Sequence, residues 1–122
     1  MGKNVLVVDD DELIRRLATL ILTTAGYSVI EAANGQDALN KLNAIDDVEM
    51  VITDFRMPQM DGIEFVRQLR ARAAYKLVPI VMMTSEFQGY KRTEGEQAGV
   101  TDWISKPFLP QQLIHTVRRL AT

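Results

Sequence analysis

The chain has no cysteine, which excludes disulfide bonds and thiolate metal sites. The same absence fits a reducing cytoplasm, where we expect the protein to be located. There is one histidine, His115, and no serine, cysteine or second histidine is arranged with it. We therefore interpret His115 as a surface residue of the last helix.

A basic surplus and a long apolar run are also missing. The 14 basic and 16 acidic residues give a net charge of −2, which argues against general nucleic-acid binding. The N-terminal apolar run, Val5 to Val8, is too short for a signal-peptide core, and nothing approaches a membrane span. We expect no nucleic-acid or membrane partner, and a monomer made of one domain over residues 1–122 with no output domain.

Short apolar runs alternate with segments of helical spacing. The runs predict five strands, at residues 5–8, 27–33, 50–53, 80–83 and 100–105. A helix is predicted after each strand, at residues 13–25, 37–45, 62–73, 88–98 and 110–120. In the first helix, Leu13, Ile14, Leu17, Ala18, Ile21 and Ala25 fall at helical spacing. This alternation predicts a three-layer α/β/α, flavodoxin-like fold with a parallel sheet in the order 2-1-3-4-5.

Acidic residues crowd the end of the first predicted strand, in the order Asp9, Asp10, Asp11, Glu12. The simplest interpretation is helix capping, because acids favour a helix N-terminus. One acid suffices for a cap, however, and four neighbouring acids repel one another unless a cation is present. A hard cation such as Mg²⁺ prefers oxygen ligands, so the pattern indicates a metal site.

Asp54 stands at the end of the third apolar run, immediately before a Met-Pro turn. It could serve only to form that turn. The carboxyl ends of parallel strands meet at one edge of a sheet, which would bring Asp54 close to Asp9 and Asp10. Asp54 could then be a third metal ligand, or a nucleophile that accepts a phosphoryl group.

Thr84 and Lys106 follow the fourth and fifth strands. Taken singly, Thr84 is an ordinary strand residue and Lys106 an ordinary solvated lysine. Taken together, a hydroxyl and an ammonium would hydrogen-bond a phosphoryl group on Asp54 and counter its charge. Trp103 lies on the opposite face of the strand from Lys106, where it is either a core or sheet-edge aromatic or a functional residue.

The motifs in order resemble the receiver domain of bacterial two-component response regulators. They are Val7-Val8-Asp9-Asp10, Asp54-x-x-Met57-Pro58-x-Met60-Asp61-Gly62, Met83-Thr84-Ser85-Glu86 and Lys106-Pro107-Phe108. The likeness extends from Val5 to Leu120. Within the family, residues 98–108 are most similar to stand-alone CheY-type chemotaxis regulators.

The resemblance implies a role for each matching residue. Asp54 would accept a phosphoryl group from a sensor histidine kinase, and Thr84 and Lys106 would contact its oxygens. Mg²⁺, or Mn²⁺ in its place, would be held by Asp10, Asp54 and the main-chain carbonyl of Arg56, with Asp9 acting through water. Thr84 and the aromatic at position 103 would then shift, and the face of the fourth helix, fifth strand and fifth helix would change its affinity for a target such as a flagellar motor switch protein.

Two positions depart from the family pattern. Arg56 stands where the family often has Asn, and Trp103 where it usually has Tyr or Phe. Arg56 and Glu86 each lie two residues beyond a site residue, and we hypothesise that they pair across the mouth of the site and restrict attacking water.

Three alternatives remain at this point. The chain could be a receiver of another two-component or phosphorelay pathway, or a pseudo-receiver that never takes phosphate, although its complete site set argues against the latter. It could also be a metal-dependent aspartyl-phosphate phosphatase. Such phosphatases use a second Asp two residues after the nucleophile, and here that position is Arg56. We therefore expect no enzyme activity beyond self-catalysed phosphoryl transfer and autodephosphorylation.

Overall fold

The computed structural model describes residues 3–45, 47–85 and 89–121, with backbone alone at 89 and 90. The strands are β1 (Asn4–Val8), β2 (Ser28–Ala32), β3 (Met50–Asp54), β4 (Ile80–Thr84) and β5 (Asp102–Ser105). The helices are α1 (Glu12–Thr24), α2 (Gly35–Ala44), α3 (Gly62–Arg70), α4 (Gly89–Ala98) and α5 (Pro110–Leu120), with a short 3₁₀ turn at Ala73–Tyr75. None of the helices within these ranges is long and apolar enough to cross a membrane.

All five strands are parallel and lie in the order β2-β1-β3-β4-β5, so the predicted topology is confirmed. Strand alternation divides the core into two apolar layers, one on each face of the sheet. One layer contains side chains of α2 and α3, and the other contains side chains of α1 and α5. The central strands β3 and β4 are buried along their whole length, as expected for a parallel sheet covered on both faces.

Side chains in the loops after β1, β2 and β3 fix where the following helices begin. The Asp11 carboxylate accepts hydrogen bonds from the backbone N–H groups of Leu13 and Ile14, so Asp11 caps α1. Asn34 caps α2 in the same way, and this helix starts at Gly35, two residues before the predicted start. Each cap satisfies backbone donors that the first helical turn leaves free.

The other boundaries differ from the predictions by a few residues. α3 ends at Arg70, and the chain continues into the 3₁₀ turn instead of the predicted helix to residue 73. β5 starts at Asp102 rather than at residue 100. The Thr101 hydroxyl there accepts from the Ile80 N–H at 3.0 Å, so a side chain replaces part of the strand ladder.

The spacing in α1 identified a helix but not its buried face. Leu13 and Leu17 are 76% and 43% exposed, and Leu20 is 64% exposed, whereas Ala18 and Leu22 are fully buried. Apolar residues surround this helix on more than one side, and two stripes share the same three- and four-residue spacing. Periodicity alone cannot say which stripe faces the sheet.

We predict that Leu22→Ala lowers the free energy of unfolding by about 2–5 kcal/mol, because it leaves a cavity in a packed layer. The matched change Leu20→Ala removes the same atoms from an exposed position of the same helix, and we expect a change within about 0.5 kcal/mol. Urea unfolding followed by circular dichroism measures both. Equal losses for the two variants would contradict this assignment of the buried face.

Candidate functional site

The parallel sheet brings four strand ends to one edge. Asp9 follows β1, Asp54 ends β3, Thr84 ends β4 and Lys106 follows β5. In the register, Asp54 lies beside Met83, and Thr84 lies beside Ser105. The backbone N–H of Lys106 donates to the Thr84 carbonyl at 2.9 Å, which ties the end of β5 to the end of β4.

The ammonium of Lys106 bridges two carboxylates. Its Nζ donates to Asp9 Oδ2 and to Asp54 Oδ1, at 2.9 Å in each case. Asp54 Oδ1 also accepts from the backbone N–H of Phe55 at 2.9 Å. Asp9 is fully buried and Asp54 is 7% exposed. The bridge therefore compensates buried negative charge at the centre of the site.

Burial and charge shift the titration of both partners. Burial is the main effect at Asp54 and raises the pKa of its carboxyl above 3.8, and the nearby charge of Asp9 acts in the same direction. The hydrogen bond from Lys106 opposes this rise without cancelling it. Burial alone would lower the pKa of Lys106, but the hydrogen bonds to Asp54 and Asp9 outweigh it, so that pKa lies above 10.5.

Three carboxylates are close enough to hold one metal ion. Oxygens of Asp9, Asp10 and Asp54 lie within 4.8 Å of one another, and the three residues form the carboxylate cluster. Both oxygens of Asp9 accept hydrogen bonds, one from Lys106 and one from the backbone of Asp11. Lys106 and the backbone N–H of Phe55 both donate to Asp54 Oδ1. The three carboxylates supply the oxygen ligands that a hard cation such as Mg²⁺ prefers.

The loop from Phe55 to Asp61 borders a cavity of about 390 Å³ beside the carboxylate cluster. Arg56 is exposed and lines this cavity together with Asp10 and Lys91. Glu86, the expected partner of Arg56, lies outside the described residues, so their pairing stays a hypothesis. Position 56 is in the loop directly after Asp54, where its main-chain carbonyl was expected to serve as a metal ligand.

Trp103 lies half-buried against α4. A Cβ atom added at Gly95 would lie 2.6 Å from the indole ring, so only glycine leaves room for the ring in this position. The Arg92 guanidinium lies over the same ring, 5.6 Å from its centroid. The ring also packs against the core layer that contains α2 and α3. Gly95, a poor helix former inside α4, thus accommodates the indole.

Two basic residues near the site were not among the predicted ones. Arg15 donates to the main-chain carbonyl of Asp9 at 2.7 Å and pairs with Glu31 at 3.0 Å, which holds the turn after β1. Lys91 lies over the Phe55 ring, 5.9 Å from its centroid. Both contacts depend on how helices pack against strand ends, and no local sequence signal reveals them.

Comparisons with known proteins agree with this geometry. Residues 5–118 match the family described as response regulator receiver domain. The chain is 40% identical over 109 residues to the chemotaxis protein CheY1 of Helicobacter pylori, covering 88% of each chain. It is 39% identical over 117 residues to the transcriptional regulatory protein ResD of Bacillus subtilis, covering 95% of this chain and 47% of ResD.

A solved structure of the chemotaxis protein CheY4 of Vibrio cholerae has the same fold, with a TM-score of 0.94 and 40% identity over 98% of this chain and 99% of that one. The general role of the matched family is that of a phosphorylation-activated switch, and its CheY-type members are signalling switches rather than classical enzymes. The chain belongs to the response regulator receiver domain family.

Proposed function

We propose that this protein is a signalling switch that accepts a phosphoryl group on Asp54 from a histidine kinase. The observation that carries the proposal is the Lys106 bridge, which holds the buried carboxylate of Asp54 2.9 Å from an ammonium at the edge of the sheet. An Asp54 oxygen would attack the phosphorus of a phosphohistidine. The P–N bond would break, and the imidazole would keep the bonding electron pair.

The residues around Asp54 suit the stabilisation of a phosphoryl group. Lys106 is placed to counter its charge, and Thr84, buried at the end of the adjacent strand, offers a hydroxyl to its oxygens. Asp10, Asp54 and the main-chain carbonyl of Arg56 would hold Mg²⁺ or Mn²⁺, with Asp9 in support. The bound ion would neutralise part of the charge on the phosphoryl oxygens.

We propose that phosphorylation changes the surface formed by α4, β5 and α5. Trp103 lies on β5 and packs against Gly95 of α4, so a shift of Thr84 or of the indole would alter how these elements pack. A phosphoryl group that favours one packing would shift the population towards it. The partner bound by this surface would then distinguish the two states.

Chemotaxis is the pathway we favour. Several relatives that match most of the chain carry chemotaxis names, among them CheY1 and CheY4. A chemotaxis kinase would be the phosphodonor, and a flagellar motor switch protein would be the target. The protein would bind both in the cytoplasm. The likeness to ResD keeps a second candidate open, namely a receiver of another two-component pathway.

A phosphatase function is less well supported. An aspartyl-phosphate phosphatase needs an acid or base two residues after its nucleophile. That position is Arg56, and an arginine does not serve as the acid or base that an aspartate provides there.

We expect one phosphoryl group on the wild-type protein after incubation with phosphoramidate and Mg²⁺, and none on Asp54→Ala. The control Asp47→Ala changes an exposed aspartate at the opposite end of the sheet and should be labelled normally. Intact mass measures the label, and the fluorescence of the only tryptophan, Trp103, should change with it. Steady multiple turnover would indicate a phosphatase instead, and the absence of label would indicate a pseudo-receiver.

We predict that Lys106→Met lowers the free energy of unfolding in EDTA by about 1–3 kcal/mol, because two neighbouring carboxylates lose the hydrogen bonds of their shared cation. Added Mg²⁺ should stabilise this variant more than the wild type, because the ion no longer competes with an ammonium. Urea unfolding with and without Mg²⁺ measures both effects, and the exposed Lys76→Met is the control. A variant as stable as the wild type in EDTA would contradict the importance of the bridge.

Replacing Arg56 with Ala or Asn should shorten the lifetime of the aspartyl phosphate, since the hypothesised barrier to water at the mouth of the site would be removed. Loss of label after removal of the donor, followed by intact mass, gives the lifetime. Mg²⁺ affinity should change little, because the proposed ligand at position 56 is a main-chain carbonyl. An unchanged or longer lifetime would exclude this role for Arg56.

A further inference from the structure

We propose that Lys91 speeds the phosphorylation of Asp54 by small phosphodonors whose leaving group is an anion, such as acyl phosphates. The inference rests on phosphorylation of Asp54, as proposed above. It assigns a specificity-determining role to a lysine outside the carboxylate cluster, on the wall of the adjoining cavity.

The cavity is suited to a small donor. Its volume of about 390 Å³ is within the usual range for small-molecule sites. It adjoins the acceptor, because Asp10 belongs both to its lining and to the carboxylate cluster that contains Asp54. Phe55, Met57 and Pro58 supply apolar wall, so a donor whose phosphoryl group reaches Asp54 has room beside it for its leaving group.

Two of the contacts that Lys91 makes hold it at this cavity. Its ammonium lies over the Phe55 ring, 5.9 Å from the centroid, and pairs with Glu94 at 3.6 Å. Phe55 directly follows Asp54 in the chain, so the ring places the ammonium beside the acceptor strand. The side chain is 35% exposed, which leaves its charge less screened than that of a fully solvated lysine.

Lys106 and Lys91 would then stabilise charge on different groups. Lys106 is engaged by Asp9 and Asp54 and serves the acceptor and the phosphoryl oxygens. The leaving group moves away from Asp54 during in-line transfer, and so away from Lys106. The ammonium of Lys91, on the cavity wall, is placed to stabilise negative charge that develops there.

Acetyl phosphate and phosphoramidate separate an effect on the charge of the leaving group from a general effect on the site. With acetyl phosphate, an Asp54 oxygen attacks phosphorus, the P–O bond to the acyl group breaks, and the electron pair leaves on acetate. With phosphoramidate, the P–N bond breaks and the nitrogen, already protonated as –NH₃⁺, leaves as neutral ammonia. Neither reaction requires a proton transfer, so the donors differ in the charge of the leaving group. Lys91 should favour only the first.

The test measures the rate of Asp54 phosphorylation against donor concentration for the wild type, Lys91→Gln and Lys91→Arg. We expect Lys91→Gln to lose about three- to tenfold in rate constant with acetyl phosphate and less than about twofold with phosphoramidate. Lys91→Arg keeps the charge and should retain most of the acetyl phosphate rate. Lys76→Gln removes the same charge from an exposed residue near the amino end of β4 and should affect neither donor.

Each outcome has one meaning. An equal loss with both donors would show that Lys91 only maintains the fold or the site, and no loss would show that it does not contact the donor; either result overturns the inference. In both cases labelling by phosphoramidate would leave the proposed function intact. If neither donor labels the wild type at Asp54, the proposed function itself fails, and this inference fails with it.

Discussion

The hydrogen-bonded bridge from Lys106 to Asp9 and Asp54 is the interaction on which the site depends. It links the ends of β1, β3 and β5, which are far apart in sequence, through two contacts of 2.9 Å. Buried carboxylates repel one another and lose hydration, so they are tolerated only where a cation compensates them. One ammonium between two buried carboxylates leaves their negative charge incompletely compensated, and burial raises the pKa of Asp54 in spite of the hydrogen bond from Lys106.

This incomplete compensation accounts for the chemistry we propose. Two carboxylates share one ammonium, and Asp10 adds a third negative charge at the exposed side of the cluster. A divalent cation would remove the excess negative charge and would place a second positive group beside Asp54. An incoming phosphoryl group would bring new negative charge to the place where this positive charge is held. The same electrostatic imbalance would therefore favour both metal binding and the proposed phosphoryl transfer.

The sequence predicted the fold and the main contacts of the site because both follow from local patterns. Alternating strands and helices imply a parallel sheet, and a parallel sheet brings Asp9, Asp54 and Lys106 to one edge. The buried side of α1 could not be predicted, since two apolar stripes compete in one helix. The positions of Lys91 and Gly95 could not be predicted either, because they depend on how α4 packs against β3 and β5.

α4 connects the two ends of the proposed switch. Lys91, in the first turn of α4, borders the cavity next to the carboxylate cluster. Arg92 and Gly95 of the same helix contact the indole of Trp103. Its ion pair with α3, between Arg67 and Glu94, is long at 3.6 Å and nearly half-exposed, so it stabilises the helix little. A ligand bound in the cavity and a movement of the indole would therefore act on the same helix. A ligand at one end of α4 would then bias the surface at its other end.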